Sequence, residues 1–299
     1  AGVCAARGRS VGPSHAGACW VVRPGVGGLR TGPLRDPGPD EVLVRTLHTG
    51  ISRGTESLVF RGAVPHREYD RMRAPFQEGH FPGPVKYGYL NVGLVEEGPE
   101  QLRGRTVFCL YPHQNRYVVP AAAVTPVPAG VPASRAVLAG TVETVLNLAW
   151  EARPWIGMRI AVVGAGMVGA CVARVFGGLP GVEVTLVDVD PSRAEVAAAL
   201  GVGFAVPADA PAGRDLVVHA SATGAGLQLS LDLLAAEGTV WELSWYGDRE
   251  VRLALGGSFH SQRQTIRASQ VGQVAAPVRS RRTPAERLGL ALDLLVDPA

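Results

Sequence analysis

A short apolar run followed by three regularly spaced glycines limits the folds open to this chain more than any other feature. Residues 160–163 are apolar and mostly β-branched, as expected of a buried parallel strand, and Gly164, Gly166 and Gly169 follow in G-x-G-x-x-G spacing. The first glycine permits a tight turn, the second lets backbone approach a pyrophosphate, and the third lets a helix pack on the strand. The pattern predicts a strand, a turn and a helix over residues 167–176.

An acidic residue behind a second strand extends this pattern. Residues 182–187 are predicted to form that strand, and Asp188 follows Gly169 by roughly the 20 residues that place an acid beside ribose hydroxyls. We therefore predict a dinucleotide site whose phosphates meet the backbone N–H groups at the start of the helix. The alternative is an ordinary βαβ unit with a tight turn. The predicted cofactor-binding residues are Gly164, Gly166, Met167, Val168, Gly169 and Asp188.

The acidic residue also predicts which dinucleotide binds. Asp188 is expected to accept a hydrogen bond from a ribose 2′-hydroxyl and to repel a 2′-phosphate, which favours NAD over NADP. Arg193 is a weaker signal in the opposite direction and is kept as a cofactor candidate. Thr223 and Ser244 follow the fourth and fifth predicted strands and are expected to line the same crevice. For these two, ordinary strand-end structure is the alternative.

The two halves of the chain differ in pattern. Apolar runs at 19–23, 41–46, 106–110 and 117–119 predict a small antiparallel barrel, and the polar segment 61–87 predicts a functional or mobile loop. Strand and helix then alternate, with strands at 215–220, 238–244 and 264–269 and helices at 138–150, 224–235 and 284–296. We predict a flexible lead-in at 1–18, a barrel domain at 19–136, a nucleotide-binding domain at 137–275 and a C-terminal helical segment at 276–299.

The composition argues against several classes of protein. A net charge of +3 without a cluster of basic and aromatic residues does not favour nucleic-acid binding. No apolar run reaches the roughly 18 residues that cross a bilayer, so we expect no membrane span and a cytoplasmic protein. The four cysteines show no C-x-x-C spacing, which argues against a structural zinc lobe or a redox pair.

Two further segments resemble a known family. The segment Gly50-Ile51-Ser52-Arg53-Gly54-Thr55-Glu56 and the segment Gly88-Tyr89-Leu90-Asn91-Val92-Gly93 stand where medium-chain dehydrogenases carry metal-binding motifs. The chain is therefore similar to the medium-chain dehydrogenase/reductase superfamily. The resemblance implies an α/β protein with a GroES-like β-barrel catalytic domain and a Rossmann domain with a doubly wound parallel sheet. It also implies a homodimer.

The metal ligands of that family are not kept in this sequence. The family's cysteine ligand falls on Ser52 or Arg53, its histidine on Tyr89, and its third ligand near Gly140. The resemblance therefore supports the fold and the cofactor and predicts no metal site. The S-x-G-T-E pattern narrows the resemblance to zinc-less members similar to bacteriochlorophyllide or hydroxyethyl-group dehydrogenases.

Without zinc, another group must stabilise the negative charge that develops on a carbonyl oxygen during hydride transfer. Tyr89 is the first candidate because it stands at a ligand position, although it is equally consistent with a plug in a vacated pocket. Lys86 is expected to lower the pKa of Tyr89 by proximity. The other candidates are Thr55 as a relay, Glu56 orienting it, His113 and Glu143. An unusual metal site of Glu56, His113 and Glu143 is an open alternative.

These observations predict a zinc-independent, NAD(H)-dependent oxidoreductase acting on a small alcohol, carbonyl or activated alkene, with a small molecule as its partner. A metal-dependent alcohol dehydrogenase with altered ligands is the first alternative. A catalytically silent nucleotide-binding module is the second.

Overall fold

A computed structural model describes residues 15–298 of the 299-residue chain. These residues form two compact units that divide at Gly140, whereas the sequence predicts a boundary near residue 136. The first unit also includes Leu288–Val296, and the second covers Thr141–Arg287 together with the residues from Asp297. Each unit is described separately below.

The first unit is built on two antiparallel sheets. Their strands lie in the orders β2-β1-β5-β4 and β8-β3-β6-β7-β9. The second sheet covers a core in which β-branched residues from neighbouring strands meet, among them Val44, Val95 and Val107. The strands are β1 (His15–Arg23), β2 (Val26–Pro33), β3 (Glu41–Thr49), β4 (Glu78–Gly79), β5 (Val85–Lys86), β6 (Asn91–Glu97), β7 (Thr106–Cys109), β8 (Arg116–Pro120) and β9 (Val124–Pro126).

Short helices connect these strands. Helix α1 (Thr55–Arg61) ends at Gly62, whose left-handed φ of 70° forms the C-cap. Helix α2 is Ala133–Ala136, and one-turn 3₁₀ helices occupy His66–Glu68 and Ala121–Ala123. Helix α3 (Ala139–Ala152) begins at the boundary of the two units.

The second unit is a parallel sheet with strand order β12-β11-β10-β13-β14-β15. In β10, Ile160 and Val162 belong to one hydrophobic cluster and Ala161 and Val163 to another, so the strand is buried on both faces. This double burial is why its sequence is apolar throughout and does not alternate. The strands are β10 (Arg159–Val163), β11 (Glu183–Val187), β12 (Gly203–Ala205), β13 (Arg214–His219), β14 (Leu234–Glu242) and β15 (Thr265–Ala268).

The helices of this unit alternate with its strands. After α3 they are α4 (Met167–Gly177), α5 (Ala194–Leu200), α6 (Gly224–Asp232) and α7 (Ser258–Ser261), with 3₁₀ turns at Pro191–Arg193 and Pro207–Asp209. Helix α8 (Pro284–Leu294) begins in this unit, and its residues from Leu288 are assigned to the first unit. In residues 15–298 no helix is both long enough and apolar enough to cross a membrane.

Several predicted boundaries are corrected. Strand β1 begins at His15, four residues before the predicted start, while the rest of the predicted lead-in, 1–14, lies outside the described residues. Strands β2, β4, β5, β6, β9 and β12 were not predicted. The helix predicted over 224–235 ends at Asp232, because Leu234 starts β14 by pairing with Arg214. The last helix ends at Leu294, two residues early.

Candidate functional site

The glycine loop joins β10 to α4 and cannot tolerate side chains at two of its positions. Gly164 has φ of +110°, and a Cβ there would lie 2.8 Å from the backbone of Ala220 and Ser221. A Cβ on Gly169 would lie 1.8 Å from the Gly164 carbonyl oxygen. The loop therefore packs closely against the end of β13 and against its own helix, as the spacing predicts.

Gly166 is different, because a Cβ at this position would meet nothing within 4 Å. It lies directly before α4, whose first N–H groups, those of Met167 and Val168 among them, have no partner within the helix. Open space in front of these donors fits an anionic group such as a pyrophosphate.

Asp188 lies at the end of β11 and is turned toward this loop. Its carboxylate accepts hydrogen bonds from the Ala165 N–H at 2.7 Å and from the Asp190 N–H at 3.0 Å. Arg193 is paired with Asp190, with the two side-chain atoms 3.4 Å apart. Asp188, predicted to bind ribose, thus also holds the glycine loop through a hydrogen bond. The Arg193 side chain, the weaker signal for a 2′-phosphate, is paired with a different carboxylate.

A second polar group, missed in the sequence, lies at the ends of β13 and β14. His219 is fully buried, and its Nδ1 lies 2.8 Å from the Glu242 carboxylate. On the other side of the ring, Nε2 lies 2.7 Å from Ser221 Oγ, which is 3.0 Å from Thr223 Oγ1. Polar residues at the ends of two adjacent parallel strands were the available signal, and from this region the sequence analysis selected Thr223 and Ser244 but not His219, Ser221 or Glu242.

The segment after β14 supports this group. Tyr246 donates its hydroxyl to Glu242 at 2.9 Å, and burial, with the nearby carboxylate, raises the pKa of Tyr246. Ser244 Oγ accepts the Ala222 N–H at 3.0 Å, which holds Ala222 in a left-handed conformation with φ of 53°. Thr223 Oγ1 accepts the Gly226 N–H and caps α6. Thr223 and Ser244 therefore both carry structural hydrogen bonds.

In the first unit, Glu56 and His113 form one hydrogen-bonded cluster. Glu56 accepts the Ser52 N–H at 2.8 Å, and its other oxygen lies 2.5 Å from His113 Nε2. His113 Nδ1 lies 2.6 Å from Thr49 Oγ1. Both side chains are only 11% exposed, so this pair is held away from water.

Tyr89 lies beside this cluster. Burial raises the pKa of Tyr89, while hydrogen bonds to the side chains of Ser52 and Thr55 oppose the shift. The phenol is therefore a neutral O–H group at physiological pH. Of the predicted catalytic residues, the structure brings Tyr89, Thr55, Glu56 and His113 together.

Lys86 is not part of this cluster, and the expectation that it lowers the pKa of Tyr89 is wrong. Its Nζ pairs with Glu78 and donates to Gln114 Oε1 at 2.6 Å. The ammonium also lies 5.3 Å from the centre of the Tyr111 ring. Because its charge is satisfied there, the pKa of Tyr89 moves upward by burial and not downward.

Glu143 is likewise engaged elsewhere. Its carboxylate pairs with Arg287 at 3.0 Å in the second unit, and burial raises the pKa of Glu143. Glu143 is therefore engaged with Arg287, and the alternative metal site of Glu56, His113 and Glu143 stays a prediction. In residues 15–298 no group of three or more His, Cys, Asp or Glu is arranged to hold a metal ion.

The Leu90 side chain fills the space beside Gly50 and Gly140, near the positions where the resemblance places zinc ligands. A Cβ on Gly140 would lie 2.4 Å from Leu90 Cδ2, and a Cβ on Gly50 would lie 3.2 Å from Leu90 Cδ1. Leu90 is only 2% exposed. Because an alkyl group fills this space and the nearby Ser52 and Tyr89 are poor ligands, these residues do not fit a zinc ion of the family's type.

No protein-family profile matches the sequence, and no curated protein matches it. Solved structures do match. A short chain alcohol dehydrogenase from Escherichia coli CFT073, complexed with NADH, gives a TM-score of 0.74 at 16% identity, covering 95% of this chain and 88% of the other. CAD from Helicobacter pylori, complexed with NADP(H), gives 0.73 at 15% identity, covering 95% and 88%.

L-idonate 5-dehydrogenase from Escherichia coli K-12 gives a TM-score of 0.74 at 14% identity, again covering 95% and 88%. The chain has the medium-chain dehydrogenase fold. The predicted combination of a GroES-like barrel domain and a Rossmann domain is thereby confirmed. In this medium-chain dehydrogenase fold the glycine loop and Asp188 belong to the Rossmann unit, and the Tyr89 cluster belongs to the barrel unit.

Proposed function

We propose that the protein is an oxidoreductase that uses a nicotinamide dinucleotide and transfers hydride to or from a small alcohol or carbonyl compound. The cofactor, when bound, supplies the hydride chemistry. Solved relatives of the same fold support the proposal, since they include complexes with NADH and NADP(H). An activated alkene is the second substrate type consistent with this chemistry.

The observation that carries the proposal is the glycine loop. Two of its glycines are required by close packing, whereas Gly166 faces open space in front of the N-terminus of α4. A turn needs no such space, but a pyrophosphate bound to helix N–H groups does. Gly166, Met167 and Val168 are the residues that would hold it.

We infer a preference for NAD(H) from Asp188. Its carboxylate lies at the end of the strand next to the glycine loop, where it would accept ribose hydroxyls and repel a 2′-phosphate. Arg193 offers little compensation for such a phosphate because Asp190 already pairs with it.

We further propose that catalysis proceeds without a metal ion. Tyr89 would donate a hydrogen bond to the oxygen on which negative charge develops, and the Glu56–His113 pair beside it would provide a route for the proton. This role is supported by the raised pKa of Tyr89 and by the contacts of its hydroxyl with Ser52 and Thr55.

Calorimetric titration of NADH and NADPH into the purified protein tests the cofactor assignment. Wild-type protein should bind NADH in the micromolar range and more tightly than NADPH. Gly166→Val should lose binding at least tenfold, because its side chain fills the open space before α4. Gly32→Val is the matched control, since a Cβ there also meets nothing within 4 Å but lies in β2.

Absence of binding by wild-type protein, or equal binding by Gly166→Val, would overturn the proposal. Metal analysis of the same samples distinguishes the metal-dependent alternative, which requires stoichiometric metal. A silent nucleotide-binding module would bind NADH yet show no turnover with any alcohol or carbonyl panel and no effect of substitutions at Tyr89.

A further inference from the structure

The proposed hydride transfer leaves one hydrogen-bonded group of polar side chains in the Rossmann unit, built on the buried His219, without a catalytic role. His219, Ser221, Thr223 and Glu242 form a continuous line of hydrogen bonds at the carboxyl ends of β13 and β14. A fully buried histidine beside a carboxylate is costly to desolvate unless its hydrogen bonds are satisfied. Here every step of the line is between 2.7 and 3.0 Å.

The hydrogen bonds have a direction. A carboxylate can only accept, so His219 Nδ1–H donates to Glu242, and Nε2 is left to accept the Ser221 hydroxyl proton. Ser221 can then accept from Thr223, which is exposed. This chain of hydrogen bonds therefore leads from solvent at Thr223 to buried His219 and is suited to carry a proton.

The strand order shows which part of a dinucleotide this group would face. Asp188 ends β11, the glycine loop ends β10, and the His219 group ends β13 and β14, in that spatial order. A dinucleotide with its adenosine ribose at Asp188 and its pyrophosphate at the glycine loop would extend its nicotinamide half toward β13. The backbone of Ser221 lies against Gly164, so the group directly adjoins the loop.

The net charge of the group depends on one proton. Glu242 also accepts from the Ser244 N–H at 2.7 Å and from Tyr246, whose raised pKa keeps it neutral. The Arg249 guanidinium lies over the Tyr246 ring, 5.9 Å from its centre. Protonation of His219 therefore raises the local charge by one unit. The Glu242 carboxylate, which otherwise lies beside a neutral imidazole, then forms an ion pair with an imidazolium.

We propose that the His219–Glu242 pair is a proton-binding site that adjusts the preference of the crevice between oxidised and reduced dinucleotide. The inference rests on the proposed function, because oxidised nicotinamide carries a positive charge that the reduced ring lacks. With His219 neutral, the Glu242 charge favours the oxidised form. With His219 protonated, that advantage is cancelled, so the affinity for NAD⁺ falls relative to that for NADH.

The test is calorimetric titration of NAD⁺ and NADH between about pH 5.5 and pH 8.5, the range in which histidines titrate. The ratio Kd(NAD⁺)/Kd(NADH) should rise roughly threefold to tenfold as the pH falls, which is the effect of one partly screened unit charge. In His219→Gln the ratio should stay at the wild-type high-pH value throughout. In Glu242→Gln it should be high throughout, because the anion is absent.

Ser230→Ala is the control, since it removes a buried polar group of the same unit, a hydroxyl bonded to the Gly226 carbonyl, and should keep the wild-type pH dependence. Thermal unfolding establishes that each variant is folded. If His219→Gln does not fold, the wild-type series decides alone, and a ratio independent of pH overturns the proposal.

Two outcomes separate this inference from other assignments. If wild-type protein binds neither dinucleotide, the proposed function fails and this inference fails with it; if both bind with a pH-independent ratio, only the inference fails. Covalent labelling of Ser221 by a fluorophosphonate, lost in His219→Gln, would identify an acyl-transfer triad from the same residues and would also overturn the proton-binding role.

Discussion

Tyr89 owes its chemical state to the residues that surround its hydroxyl. A tyrosine exposed to water would begin to ionise near pH 10, whereas burial raises the pKa of Tyr89. The group therefore keeps its proton over the whole physiological range and serves as a hydrogen-bond donor. This is the protonation state required to stabilise an alkoxide-like oxygen without a metal.

Tyr89→Phe is accordingly expected to lower kcat by about 100-fold, the usual loss for a positioned proton donor, while leaving the Kd for NADH unchanged. In the wild-type protein the contribution of the Tyr89 hydroxyl to kcat should persist above pH 10, because the raised pKa keeps the phenol protonated. Steady-state kinetics against pH and a separate NADH titration measure both effects.

Tyr69→Phe is the control for this substitution, because the Tyr69 ring packs on His66 and Phe81 away from the cluster. An unchanged kcat in Tyr89→Phe would show that the tyrosine only fills space. Glu56 and His113 would then be the remaining candidates for proton transfer.

Helices α3 and α8 are joined by Arg287, whose side chain is 3% exposed. Its guanidinium donates to Glu143 and Asn147, as well as to the backbone carbonyls of Val271 and Gln273. Arg287 therefore connects the two helices through its hydrogen bonds. A buried ion pair of this kind adds little net stability but is costly to break from one side.

Arg287→Met should lower the free energy of unfolding by about 3–5 kcal/mol, because Glu143 is left buried and unpaired. The loss should be smaller at pH 5 than at pH 8. An acid whose pKa is raised in the folded state binds protons on folding, so acidic conditions relieve the unpaired charge.

Urea unfolding at the two pH values measures this effect. The double variant Glu143→Leu with Arg287→Met should recover most of the lost stability, because no buried charge remains. Equal losses in the single and double variants would show that packing of the arginine side chain, and not its charge, joins the helices.

Two thiols, Cys109 buried and Cys171 half-buried, allow the two units to be followed separately in the whole molecule. Burial raises the pKa of Cys109, in the barrel unit, to about 12 and that of Cys171, in the Rossmann unit, to about 11. Unfolded thiols ionise near pH 8.5, so the unfolded chain loses protons first and both thiols lower the stability as the pH rises above that value.

Thiol modification at pH 8 should therefore be slow at both positions and limited by opening of each unit. NADH at 100 times its Kd should slow the reaction of Cys171 about 100-fold and leave Cys109 unchanged, because the proposed site belongs to the Rossmann unit. Peptide mass spectrometry after timed alkylation reads each site, and Gly166→Val is the control. Equal protection of both thiols would contradict an independent response of the units.

The glycine loop illustrates what could be inferred from the sequence. Its strand, turn and helix are determined by residues close together in the sequence, because an apolar run and regularly spaced glycines span only a few positions. For that reason the sequence was sufficient to predict the parallel sheet, the close packing of the glycines and the position of Asp188 beside the loop. Strand β2 was not predicted because glycines and polar residues interrupt its 8 residues, and β12 was not predicted because it has only 3 residues.

The partners of the buried charges were not accessible. Lys86 pairs with Glu78 and Glu143 with Arg287, although both were predicted to act in catalysis, and the His219–Glu242 pair was missed. Apolar periodicity identifies which face of a strand is buried, but a charged side chain pairs with whichever group the strand order brings near. Composition and spacing thus specify the two architectures and the glycine loop, whereas long-range strand pairing selects which polar residues meet.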